Sequence, residues 1–488
     1  MKHYPDTFTS SLSLGLAIVL LLLLNGCASQ STAKDSAFVV QDMPAQWSER
    51  SAQSEQQATT ASTVKATWWQ DFASPELDRL IAQGLQNNPD LGMAAERIVQ
   101  AEAQARIAGA SLFPVLSGSA GASHRETRGG NSTNGINADG GGNNSSSSNS
   151  TSLGLSASYE FDFWGKNAAG VRAANSQQQA SQFDRDSLKL TLTAGIATGY
   201  FQILAVRERL AVAQENLTIA RRVLQVVEAR VRYGAAAQLD LTRQRAAVIS
   251  QEAAIPPLQL QEQQALYALA ILLGQVPPGF QVAGDKIQQI NVPTIAPGLP
   301  ASLLQRRPDL ASAEAQLAAA NANIDATRAA LFPSISLSSS LGLASDSLQG
   351  LVNAPLTTFN IAAGLTQVIF DGGRLRNQVS IAESRQRELL LAYRKAVLAA
   401  LADVDSSLAA SSRSQAQEAL LQASLQESDQ ALRLSEIRYR AGADDLLVLL
   451  DAQRSRFQAQ DQLTQSRLSR LQAQLGLYKA LGGGWLGQ

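Results

Sequence analysis

The chain repeats its own sequence, and this duplication limits the folds open to it. Residues 88–114 open with Asn-Pro-Asp-Leu and close with Leu-Phe-Pro, while residues 307–333, 219 positions later, open with Arg-Pro-Asp-Leu and close in the same way. Further on, Arg-Val-Arg-Tyr-Gly at 230–234 matches Arg-Tyr-Arg-Ala-Gly at 438–442, 208 positions later. The first copy therefore holds about eleven extra residues, which fall in a low-complexity polar stretch at 128–150. The sequence predicts one duplicated unit, not several unrelated domains.

Each copy contains a long segment with the spacing of a coiled coil. Apolar residues from Ile203 to Val231 alternate steps of three and four, and those from Leu390 to Val404 keep the same spacing in the second copy. No proline or other stop interrupts 166–232 or 374–440. Each of these segments is predicted to be one helix of about 67 residues, roughly 100 Å long.

Shorter helices are predicted around the long ones. They are 89–111 and 237–273 in the first copy, and 308–330 and 444–481 in the second. Within each copy the two short helices together match the length of the long helix, so stacking them end to end produces a wall of uniform height. The pair Pro256-Pro257 is expected to kink or interrupt the first copy, and the Pro-rich segment 276–300 is expected to link the copies.

Between the helices the period falls to two, which indicates β-strands. Residues 152–163 and 334–343 alternate small or polar residues with apolar ones, and weaker strands are predicted near 115–123 and 358–370. Strands of this length with one apolar face are typical of membrane-spanning barrels, although each alone also fits a soluble sheet. Four at matching points in both copies favour a barrel. Several chains must share it, because four strands would leave open edges in the membrane.

The lone cysteine of the chain, Cys27, follows an apolar run at 12–24. Thirteen residues suit a secretory signal peptide and are too few for a spanning helix. The Leu-Asn-Gly-Cys ending resembles a bacterial lipobox, which implies that Cys27 is acylated and becomes the first mature residue. Ala28 then implies sorting to the outer membrane. The alternative is an ordinary signal peptide with an incidental cysteine.

Composition argues against several functions. A formal net charge of −1, with no basic cluster, argues against a nucleic-acid partner. Two histidines, one cysteine and no Gly-rich phosphate loop leave no motif for an enzyme or a metal site. We therefore expect no enzyme activity, no metal and no cofactor beyond a covalent lipid on Cys27.

The stretch TWWQDFASPELDRLIAQGLQNNPDL, the paired Pro-Asp-Leu and Leu-Phe-Pro markers and the turn at Gly442 resemble the TolC-like outer-membrane factors of tripartite efflux systems. The similarity is to the lipoprotein branch typified by OprM and NodT. It implies a mainly α fold with a membrane β-barrel, in which a homotrimer forms a twelve-stranded β-barrel continued by a twelve-helix α-barrel. The implied partners are a periplasmic adaptor, an inner-membrane pump and outer-membrane lipid. The chain is then an exit duct for small molecules.

The resemblance also implies a periplasmic gate at the turns after Gly234 and Gly442. The residues assigned to it are Arg232, Asp240, Tyr439, Arg440, Asp444, Asp445 and Asp451. Tyr439 is expected to hold the resting duct shut, with its ring against a neighbouring helix and its hydroxyl reaching a carboxylate. Arg232 and Arg440 are expected to pair with nearby carboxylates. Val448 and Asp444 depart from the family pattern, which has a carboxylate and an arginine there. Two interpretations stay open: Asp444 and Asp445 form an acidic ring that selects cations, or these charges merely solvate the turn.

The predicted domain boundaries follow the duplication. They are a signal peptide at 1–26, a lipid-anchored extension at 27–74, a first repeat at 75–274, a linker at 275–300 and a second repeat at 301–488. Two other functions stay open: a structural coiled-coil lipoprotein, and the exit duct of a type I protein secretion system. The cargo cannot be read from the sequence.

Overall fold

The computed structural model describes residues 47–48, 64–128, 145–284, 286–295, 298 and 300–485. The helices of the first copy are α1 (Pro75–Asn87), α2 (Pro89–Ala110), α3 (Lys166–Arg232), α4 (Gln238–Ala253) and α5 (Ile255–Leu272). Those of the second copy are α6 (Pro308–Ala329), α7 (Leu348–Asn353), α8 (Arg374–Arg440) and α9 (Leu446–Ala480). The strands are β1 (Val115–Arg128), β2 (Ser145–Phe161), β3 (Ser334–Ser345) and β4 (Leu356–Thr366).

The two long helices, α3 and α8, have the bounds that the sequence predicts, with 67 residues each. Each begins directly after a glycine with positive φ, Gly165 or Gly373. An aspartate just upstream accepts main-chain N–H groups of the first turn: Asp162 from the residues at 167 and 168, and Asp371 from those at 373 and 375. These carboxylates satisfy donors that the helix leaves unpaired, which fixes where the strand ends and the helix starts.

The prolines interrupt the first copy as predicted. The helix expected over 237–273 is divided at Ala254, and Pro256 and Pro257 lie in the first turn of α5, where a missing N–H is tolerated. In the second copy α9 continues for 35 residues without a break. No helix in the described part of the chain is both long and apolar enough to cross a membrane.

The four strands form one antiparallel sheet in the order β1-β2-β3-β4. Apolar residues of β2 face apolar residues of β3: Leu153 opposite Leu343, and Leu155 opposite Leu341. The loop predicted at 128–150 is shorter than expected, because Arg128 already pairs with the residue at 145. Main-chain hydrogen bonds extend the hairpin through a polar sequence that has no apolar alternation. Residues 129–144 lie outside the described residues.

The predicted end of the fourth strand needs one correction. The sequence placed it at residue 370, with a change of phase at Thr366, and β4 ends at Thr366. The change of phase therefore marked the end of pairing. Ile369 and Phe370 follow it and are 94% and 90% exposed in the single chain.

The largest apolar cluster among the described residues joins both copies of the unit. It joins the 3₁₀ segment Trp68–Phe72, the middle of α3 and the C-terminal part of α9, and the ring of Trp68 stacks on that of Tyr478 at 4.8 Å. The predicted linker is part of this core, since Ile287 and Ile290 are buried in it. The guanidinium of Arg207 also donates to main-chain carbonyls of the linker. The linker therefore ties the two copies together by packing as well as by chain connection.

Candidate functional site at the helical tips

Two tight turns form the ends of the helical hairpins α3–α4 and α8–α9. In the first, Gly234 has φ +72° and the N–H of the residue at 235 donates to the carbonyl of Arg230 at 2.7 Å. In the second, Gly442 has φ +75° and the N–H at 443 donates to the carbonyl of Arg438 at 2.9 Å. Both are glycine-terminated helix ends with the same hydrogen bonds, so the duplication extends to the tips. A residue with a side chain would be strained at either glycine.

An apolar cluster holds the two hairpins of one chain together just above the turns. Its members come from α3, α4, α8 and α9, and they are Val223, Val227, Leu241, Leu432, Tyr439, Leu446 and Leu449. Tyr439 is 4% exposed and belongs to this core. The ring of Tyr439 packs against α3, α4 and α9 of the same chain, while its role in a gate stays a prediction.

The polar partner of Tyr439 is Arg230, which lies outside the set of residues predicted for the gate. The guanidinium carbon of Arg230 lies 4.8 Å from the centre of the Tyr439 ring, and Nη1 donates to the Tyr439 carbonyl at 3.0 Å. This contact joins α3 of the first copy to α8 of the second. Helical spacing could have indicated it, because Arg230 lies three residues after the fully buried Val227 and so falls near the buried face.

Asp444 and Asp445 have separate roles in the second turn. The Asp444 carboxylate accepts two hydrogen bonds from Arg438, both of 2.8 Å. The hydrogen bonds and charge of Arg438 hold the pKa of Asp444 below its ordinary value, and the pKa of Arg438 is raised by the same contact. Asp445 caps α9, since its Oδ1 accepts from the N–H groups of Leu447 and Val448 at 3.0 and 3.2 Å. Neither carboxylate is a free charge in this chain.

The remaining predicted gate residues form fewer hydrogen bonds and ion pairs. Asp240 accepts only the N–H of Ala237, at 3.4 Å. Arg232, Arg440 and Asp451 are exposed, and none of them forms an ion pair with the described residues. The pairing of Arg232 and Arg440 with carboxylates is thus not formed within one chain. Arg230 and Arg438 do form hydrogen bonds at the tips, and each lies four residues before its turn glycine.

Further from the tips, ion pairs tie the two hairpins together through α9. Arg456 contacts both Asp429 on α8, at 2.7 Å, and Glu215 on α3, at 3.3 Å. Arg209 on α3 contacts Asp461 at 2.6 Å. The side chains of Arg456, Asp429, Arg209 and Asp461 are partly buried, which makes their pairs stronger than exposed ones, whereas Glu215 is exposed. The predicted lipid site, Cys27, lies outside the described residues.

Known proteins resemble this chain over nearly its full length. The Outer membrane efflux protein family matches residues 80–275 and 299–483. The chain is 42% identical over 464 residues to the pyoverdine export outer membrane protein OpmQ of Pseudomonas aeruginosa, covering 95% of each protein. It is 32% identical over 479 residues to the antibiotic efflux pump outer membrane protein ArpC of Pseudomonas putida, covering 97% of this chain and 96% of the relative.

The fold agrees with these sequence matches. The open state of the MtrE outer membrane channel of Neisseria gonorrhoeae superimposes with a TM-score of 0.78 at 31% identity, covering 91% of this chain and 96% of that one. The two segments that match the family correspond to the two copies of the duplicated unit. The chain belongs to the outer membrane efflux protein family.

Proposed function

We propose that three copies of this chain form the outer-membrane exit duct of a tripartite efflux system. The observation that carries the proposal is the four-stranded sheet, whose outer strands β1 and β4 have a free edge within the described chain. A sheet with open edges is not tolerated in a bilayer, whereas three such sheets joined edge to edge close into twelve strands. Membership of the efflux family supports the same assembly.

Exposed apolar side chains on the helices support the trimer. On α2 they are Met93, Val99 and Ile107, and on α8 they are Ile381, Leu391 and Leu398, all more than half exposed in the single chain. Apolar side chains left exposed along a helix bury their surface by packing against another helix. Contact between these side chains on neighbouring copies would close twelve helices into a cylinder below the barrel.

The tips are the proposed docking point for a periplasmic adaptor, which connects the duct to an inner-membrane pump. Leu239 and Leu447 each lie five residues after a turn glycine, and each is 57% exposed. Because the two copies present the same leucine, a trimer would offer six similar apolar contacts. An adaptor arranged around a six-fold ring would fit them.

The N-terminal arm supports the proposal that Cys27 carries a membrane lipid. Trp47 is buried and its indole donates to the Gly298 carbonyl at 2.9 Å, while the N–H of Ser48 donates to Asp405 at 3.0 Å. Asp405 lies about 47 Å along α8 from the barrel end of that helix. The 20 residues from Cys27 to Trp47 can span at most about 70 Å, so they are long enough to reach the membrane.

For the cargo, we propose an iron-chelating siderophore of the pyoverdine type. The support is the higher identity to OpmQ, named for pyoverdine export, than to ArpC, named for antibiotic efflux. Deleting the gene should lower the siderophore released into iron-limited medium and raise the amount held in the periplasm, and the wild-type gene should restore release. Unchanged release, with increased sensitivity to antibiotics, would assign the duct to drug efflux instead.

The adaptor contact has its own test. A photo-crosslinking residue at position 447 should capture the adaptor in living cells, whereas the same residue at the exposed, polar position 427 of α8 should not. Capture from both positions, or from neither, would contradict docking at the tips.

A further inference from the structure

We infer that Arg230 holds each tip closed by binding the ring face and the main-chain carbonyl of Tyr439, a contact that we call the latch. The Tyr439 hydroxyl takes no part in it. The inference rests on the proposed duct and adds to it that the duct closes at the tips, because a latch has a role only if they close. It assigns closure to a residue outside the predicted gate set, and to a different part of the tyrosine.

The geometry of the contact suits a latch. A guanidinium over an aromatic face is attracted by the ring, and the hydrogen bond from Nη1 to the carbonyl fixes its position. Arg230 belongs to the α3–α4 hairpin and Tyr439 to the α8–α9 hairpin, so the contact breaks if the hairpins separate. Both side chains lie at the last helical turn before their glycines.

The hydroxyl of Tyr439 lacks the partner that a hydroxyl latch would need. Among the described residues it makes no hydrogen bond, and the carboxylate of Asp240 bonds instead to the N–H of Ala237 in its own turn. The ring of Tyr439 is nevertheless 4% exposed and fixed by the apolar cluster. Its face and carbonyl are therefore held in a constant position for Arg230 to bind.

Arg230 is also well placed along the hairpins. The next polar contact between them in the described chain is Glu215 with Arg456, which lies 15 residues back along α3, or about 22 Å. Over that distance the described residues hold the hairpins together by apolar packing and by the Arg230 contact. Removing Arg230 should free the tip while leaving the Glu215–Arg456 ion pair intact.

The test uses cells that lack the chromosomal gene and carry one of five versions: wild type, Arg230→Gln, Arg222→Gln, Tyr439→Phe or Tyr439→Ala. Arg222 is an exposed arginine on the same helix, without an ion pair among the described residues, and serves as the matched control. Equal amounts of trimer in the outer membrane are checked first. The measurement is entry of a glycopeptide antibiotic that is too large for ordinary porins.

The latch predicts that Arg230→Gln and Tyr439→Ala raise antibiotic entry by about five-fold or more, since a cation–π contact with a hydrogen bond has that order of effect. Arg222→Gln and Tyr439→Phe should match wild type. If Tyr439→Phe leaks as much as Arg230→Gln, the hydroxyl is part of the latch and the inference fails, although the gated duct stands. If Tyr439→Ala leaks and Arg230→Gln does not, the apolar cluster closes the tip without Arg230. If no version leaks, the gated duct itself is contradicted.

Discussion

The guanidinium of Arg438 and the carboxylate of Asp444 form two parallel hydrogen bonds of 2.8 Å across the turn that ends α8. This pair changes the electrostatic picture of the tip. A ring of unpaired aspartates around a trimer axis would repel itself, but Asp444 is neutralised within its own chain and Asp445 is used as a helix cap. Within the described residues, the carboxylates left without a partner near the second turn are Glu436 and Asp451.

The Arg438–Asp444 pair predicts a pH dependence of the turn. Because the pKa of Asp444 is lower in the folded protein than in the unfolded chain, its stabilisation is present above the ordinary value of about 3.9 and is lost as the pH falls through the lowered pKa. In Asp444→Asn, the amide at 443 should exchange hydrogen faster than in wild type at pH 7, and the difference should disappear in strong acid. Glu427→Gln, which alters an exposed carboxylate on the same helix, should exchange like wild type. An equal difference at pH 7 and pH 3 would contradict this account.

Asp162 should stabilise the start of α3. Its two carboxylate oxygens accept N–H groups at 2.9 and 2.7 Å. Asp162→Ala is expected to lower the free energy of unfolding by about 0.5–2 kcal/mol, as for other helix caps. Asp162→Asn keeps one acceptor oxygen and should lose less. The measurement is denaturant unfolding of the detergent-solubilised protein. Equal losses in the two variants would show that the capping bonds are not responsible.

Tyr478 predicts a second pH effect, in alkali. Its hydroxyl donates to Asp71 at 2.8 Å, and burial first, then the hydrogen bond and charge of Asp71, raise its pKa above the ordinary value. The stabilisation is complete below about pH 10 and is lost as the pH rises through the raised pKa. Tyr478→Phe should cost about 1–3 kcal/mol at pH 8, because Asp71 loses its donor. That cost should shrink at high pH, and a constant cost would contradict the assignment.

The loop between β1 and β2 is predicted to lie at the cell surface. The chain enters β1 from α2 and leaves β2 into α3, so residues 129–144 connect the strands at the end away from the helices. A protease site inserted at 136 should be cut in intact cells, without loss of export. The same site placed at the exposed Val276 in the linker is the control, and it should be cut only after the outer membrane is opened. The reverse pattern would invert the topology.

The lipid anchor is tested by Cys27→Ser. Only a thiol takes the lipid, so labelled palmitate should be incorporated by wild type and not by the variant. The variant should still insert, because twelve amphipathic strands bury far more apolar surface than an acyl chain. Palmitate on the variant would contradict the lipobox.

Much of the fold could be predicted because its signals are local. The absence of a proline or other stop over 166–232 and 374–440 predicted both ends of α3 and α8, and the pair Pro256-Pro257 predicted the interruption at α5. The length of β2 could not be predicted, because main-chain pairing extends through serines that carry no apolar pattern. Arg230 was missed for a different reason. Periodicity indicates the face of a helix on which a side chain lies. The contact of Arg230 with Tyr439, 209 residues later in the chain, depends instead on how the two hairpins pack together.

The most direct test of the proposed duct is conductance across a planar lipid bilayer. Purified wild-type trimer should insert and give small single-channel steps if Arg230 holds its tips closed, as we infer. Tyr439→Ala removes a side chain from the apolar cluster and removes the ring that Arg230 contacts. It should therefore give clearly larger conductance steps from the same amount of inserted protein. A bilayer that contains inserted trimer of both forms and conducts with neither would contradict a channel, and would favour a structural coiled-coil lipoprotein.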